Sequence, residues 1–92
     1  MTREEVLGWL RSRRPAPPQR LRERLDRAVE QLVPAPSATL PVYLARLGRD
    51  LLDGVASKPK GGRELALDLL AADAFATYAF EAQAEEGPIH ET

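Results

Sequence analysis

The sequence predicts an all-α protein, a small bundle of about four helices that ends in a long, two-faced C-terminal helix. Two observations carry this expectation. Proline and glycine cut the chain into four segments, and each segment repeats its apolar residues at helical spacing. A length of 92 residues with 43% hydrophobic content is enough for one thin core and too little for two. A single helical domain over 1–92 follows, with 1–17 as a loosely docked N-terminal arm and 87–92 as a flexible tail.

The first helix is expected over about 3–13. Thr2 followed by Glu5 is a capping box, in which each side chain satisfies a backbone N–H at the helix start, and the Pro15, Pro17, Pro18 cluster ends the segment. Val6, Leu7, Trp9 and Leu10 are its apolar residues. A helix this short with Gly8 inside is marginal alone, so it must dock or fray, and Trp9 is the expected anchor.

The second helix, 18–32, can use Pro18 in its first turn. It carries Leu21, Leu25, Ala28, Val29 and Leu32 on one stripe and Arg20, Glu23, Arg24, Arg27 and Glu30 on the other. Val33-Pro34-Ala35-Pro36-Ser37 reads as a semi-rigid linker.

The third helix, 41–56, is the cleanest amphipathic segment, with Leu40, Leu44, Leu47, Leu51, Leu52 and Val55 to one side. Gly48 falls within that apolar arc, where a missing side chain lets another backbone come close.

The fourth helix, 63–86, is apolar on two sides. Leu65, Leu69, Ala72, Ala76, Ala79 and Phe80 make one face; Leu67, Leu70, Ala71, Ala74 and Tyr78 make another roughly opposite. A helix of this kind wants two partners. Leu67, Leu70, Ala74 and Tyr78 are the expected interface with another copy or another protein.

Net charge is −1, but basic residues dominate the first 32 residues, and the stretch 63–92 holds Arg63 against seven acids. Such a chain can pair its own ends, pair head to tail with a second copy, or bind an outside polyanion. The absence of Cys removes disulfides and thiolate metal sites, and the one His, His90, stands two residues from the end of the sequence, so no metal or other cofactor is expected. Met-Thr-Arg-Glu-Glu lacks the basic, then apolar, character of a signal peptide. No long uncharged apolar run is present to span a membrane. The expected address is therefore the cytoplasm.

Asp73, Thr77 and Glu81 lie on a narrow polar strip between the apolar faces of the fourth helix, where they are a possible polar contact for a cation or a partner's arginine; the plainer reading is an edge wetted by solvent. The tract from Leu69 to Glu81 resembles an Ala-rich helix of polyprenyl synthases, but it lacks the DDxxD motif and the chain is far too short for that fold, so no activity follows. Lys58-Pro59-Lys60-Gly61-Gly62 has no Walker spacing and reads as a connector.

No nucleophile with a base and no paired carboxylates can be assembled from the sequence, so it is read as a non-enzyme. The expected function is a non-catalytic helical protein–protein interaction module, self-associating as a homodimer or accessory to a larger protein. The alternative is a small nucleic-acid-associated regulator using Arg11, Arg13, Arg14, Arg20, Arg22, Arg24 and Arg27. Glu23, Asp26 and Glu30 interleave with that group and would repel a phosphate backbone, which makes nucleic acid the weaker expectation.

Overall fold

A computed structural model describes residues 1–57 and 61–86; the Lys58-Pro59-Lys60 part of the expected connector, the expected tail over 87–92 and His90 lie outside the described residues. Among the described residues four helices form in chain order: α1 (Arg3–Arg11), α2 (Gln19–Gln31), α3 (Leu40–Ser57) and α4 (Gly62–Glu86). The protein is a small all-α bundle, as the periodicity predicts.

Helix ends are set by local hydrogen bonding. Thr2 and Glu5 form the capping box: Glu5 N donates to Thr2 Oγ1 at 3.2 Å and Thr2 N donates to Glu5 Oε1 at 2.7 Å. α1 stops at Arg11, two residues before the expected end, because the Ser12 amide and hydroxyl both turn back onto Trp9 O, at 3.1 and 2.6 Å. The Arg14 guanidinium then caps the terminus by donating to Arg11 O at 2.9 Å. Pro18 is the residue before α2 rather than its first turn; its carbonyl accepts from Arg22 N at 2.9 Å. α4 opens on Gly62, whose φ of +50° is a left-handed conformation that suits glycine.

The core is drawn from all four helices. Val6, Leu25, Val29, Leu44 and Phe75 are its largest fully buried side chains, each worth about 1.5–3 kcal/mol of transfer free energy. α1 is packed on this core through Val6 and Leu10. The Tyr43 hydroxyl donates to Leu32 O at the end of α2, satisfying a carbonyl with no helical partner and tying α2 to α3.

α3 and α4 are the most intimate pair and run in opposite directions, since Pro41 and Val42 lie beside Ala79 and Phe80 while Gly48 lies against Ala72. A Cβ placed on Gly48 would stand 3.2 Å from Ala72 O and 3.4 Å from Phe75 Cβ. The close backbone approach expected at Gly48 is made to the Ala72–Ala76 turn of α4.

Candidate protein-interaction face

The two apolar faces of α4 meet different fates. Ala71, Phe75 and Ala82 point into the core, and Ala74 and Tyr78, both expected at an outward interface, pack against it as well. Leu67 is half-buried, and Leu70 alone of that expected set is strongly exposed, at 56%. The four residues therefore do not form one open surface. α1 is the reason: Trp9 lies edge-on to Tyr78, with ring centroids 5.9 Å apart at 85°, so the N-terminal helix occupies part of the face that periodicity leaves free.

Trp9 is half-buried, whereas Val6 and Leu10 are buried, so the tryptophan is not the deepest anchor of α1. Its work is polar as well as apolar. Trp9 Nε1 donates to Glu85 Oε1 at 2.9 Å, and the Arg13 guanidinium lies 3.9 Å over the indole ring. Arg13 Nη1 reaches Glu85 Oε2 at 2.6 Å and Glu81 Oε1 at 3.5 Å. The basic start and acidic end of the chain thus pair with each other within one molecule. The indole hydrogen bond, followed by that of Arg13, holds the Glu85 carboxyl below its ordinary range, while donating to Glu85 raises the Arg13 pKa. Burial, then the neighbouring Glu81 charge, pushes the Tyr78 phenol up.

Of the expected polar strip, Asp73 and Thr77 are exposed, and Glu81 is exposed but faces Arg13. The buried acid among the described residues is instead Asp68, which is not among the polar residues expected from helical spacing. Arg24 Nε on α2 donates to Asp68 Oδ1 at 2.7 Å, with side chains only 11% and 7% exposed. The available signal was an acid set within the run Leu65-Ala66-Leu67-Asp68-Leu69-Leu70-Ala71-Ala72, on the turn between Leu65 and Ala72.

What remains open is part of the other face of α4, at Leu69, Ala76 and Phe80, together with the adjoining face of α3; Ala72 of that face is buried, and Leu65 and Ala79 are half-buried. The seam between α3 and α4 is a groove of about 580 Å³ whose walls include Val42, Ala45, Leu52, Ala76 and Phe80. Exposure is high for side chains of this kind: Phe80 79%, Val42 66% and Leu52 51% in the groove wall, and Leu69 44% elsewhere on α4. The floor is shallow-sided because Gly48, Ala72, Ala76 and Ala79 are small. Arg49 is the one charged residue among those lining the groove, and Gln83 is its other polar one. Chemically such a surface can bury apolar side chains; its lining holds no acid–base pair. Among the described residues no cluster of three or more His, Cys, Asp or Glu is placed to hold a metal ion. No helix among them is long and apolar enough to cross a membrane. Compared with protein-family models, with curated proteins and with solved structures, the chain matches none.

Proposed function

We propose that the protein is a non-catalytic helical interaction module whose working surface is the α3–α4 face, used in the cytoplasm either for self-association or as an accessory to a larger protein. The observation that carries this reading is Phe80, a large apolar side chain that is 79% exposed at the rim of an apolar groove beside Val42 and Leu52. Scattered single apolar residues are ordinary on a soluble surface, but a contiguous patch on two adjacent helices marks a surface that is covered in use. The alternative of nucleic-acid binding is weakened because Arg13 and Arg24 are spent on Glu81, Glu85 and Asp68.

Site-specific photocrosslinking in cells tests the reading. A benzophenone side chain at position 80 should give discrete protein adducts, and the same group at exposed Gln31 on α2 should not. No adduct at 80, or the same adducts at both positions, would remove the α3–α4 face as the working surface.

A further inference from the structure

We infer that the occupant of the α3–α4 face is a second copy of this chain, related by a two-fold axis parallel to the helices, with α3 of each protomer lying on α4 of the other. This rests on the α3–α4 face being the interaction surface. The levels of the exposed residues along the helix pair select this occupant. With a Cβ, Gly48 would lie 3.2 Å from Ala72 O and 3.8 Å from Ala76 N, which places it midway between those residues on α4. The helices run in opposite directions with equal rise, so each step forward on α3 matches one step back on α4. Val42 is therefore level with Phe80, Arg49 with Asp73, and Leu52 with the turn of Leu69.

A two-fold axis parallel to the helices preserves level and exchanges α3 for α4. Val42 then meets Phe80 of the second copy, Arg49 meets its Asp73, and Leu52 meets its Leu69. Apolar side chains face apolar ones, and the acid and the base face each other, twice per dimer by symmetry. Ala45 and Ala76 lie between these rungs and let the helices approach. The other way to join two such faces, an axis across the helices, sets Val42 on Leu52 but places Arg49 over Ala45 and Asp73 over Thr77, so that neither charge meets an opposite one. Within one protomer both charges are available for this contact: the ion pairs formed among the described residues are Arg13–Glu81, Arg13–Glu85 and Arg24–Asp68.

The size of the face is sufficient and no more. An 18-residue α3 is about 27 Å long, and two packed helices are about 19 Å wide, so the pairing covers about 1,000 Å² over both copies, the lower limit for a specific interface. Association in the micromolar range, rather than a permanent dimer, is the consequence.

Sedimentation equilibrium of the purified full chain from about 5 to about 500 µM, spanning the affinities such an interface supplies, tests the pairing. The wild type should dimerise reversibly. Arg49→Asp and Asp73→Arg should each weaken dimerisation about tenfold or more by opposing like charges, and the double exchange should restore it to within a few fold. Both positions are exposed, and circular dichroism of each variant checks that the helices are kept. A wild-type monomer across the whole range, or a double variant no better than the single ones, would overturn the pairing. If the purified chain is monomeric while position 80 crosslinks in cells to a different protein, the second-copy inference fails and the association reading stands. If position 80 gives no adduct, the association reading fails with it.

Discussion

Helix-interior glycines give opposite outcomes when a methyl group is added, and the close α3–α4 contact decides which. Gly8 on α1 and Gly54 on α3 have nothing within 4 Å of an added Cβ. Alanine there should stabilise the protein by about 0.5–1 kcal/mol each, the difference in helix propensity between the two residues. Gly48→Ala receives the same propensity gain, but its new methyl meets a helix carbonyl, Ala72 O, at 3.2 Å and Phe75 Cβ at 3.4 Å. Neither neighbour is the end of a flexible side chain: one is backbone and the other is the Cβ of a fully buried phenylalanine. Overpacking of this kind costs about 1–3 kcal/mol, which exceeds the gain, so a net loss of up to about 2 kcal/mol is expected. For a domain of this size a difference of 1 kcal/mol moves the melting temperature by about 4–8 °C. Thermal and urea unfolding followed at the helical circular dichroism band should therefore place Gly8→Ala and Gly54→Ala above the wild type and Gly48→Ala below it. A Gly48→Ala protein as stable as Gly8→Ala would show that α3 and α4 can part without cost, and the level matching drawn from that contact would lose its basis.

Asp68→Ala leaves the Arg24 guanidinium buried without its carboxylate and should destabilise the fold by about 3–5 kcal/mol in urea melts, since removing one member of a buried pair strands the other; a loss under 1 kcal/mol would show the pair to be solvated. Glu85 has a folded pKa below its ordinary 4.5, so its hold on Trp9 and Arg13 is complete above that value and is lost as pH falls through the depressed one. The fluorescence of Trp9, the chain's single tryptophan, should report that step on acidification, and the step should be absent in Glu85→Gln; its persistence there would assign it to another group. Fluorescence anisotropy with a labelled DNA duplex at about 150 mM salt should show no binding tighter than about 10 µM, because acids interleave with the arginines, and a submicromolar complex would restore the nucleic-acid reading.

Much of this architecture is legible in the residues themselves. The breaks between helices follow from proline and glycine, which remove donors or free the backbone wherever they fall. The Thr2–Glu5 capping box is local, and the close approach at Gly48, though made to α4, is announced by a glycine within an apolar arc; both stand where the sequence places them. The charge gradient along the chain was equally visible, but it allowed three pairings. The bundle realises the internal one because α1 packs on the core at the end of α4 where Glu81 and Glu85 lie.

The use made of each face of α4 was decided by tertiary structure alone. Periodicity shows that Leu67, Ala74 and Tyr78 share one side and Leu69, Ala76 and Phe80 another, but both sides are apolar and the pattern ranks neither. Gly48 lets α3 lie close against the Ala72–Ala76 turn of α4, and the packing puts Ala71, Ala72, Phe75 and Ala82 in the core and leaves Phe80 outside. α1 then covers Tyr78 with Trp9, and α2 brings Arg24 to Asp68, an acid that in sequence looks like any other helical carboxylate. Apolar spacing is a property of one helix, whereas burial is a property of the contact between helices; residues alone determined which surfaces had to be covered, and only the packing of the four helices determined which ones were.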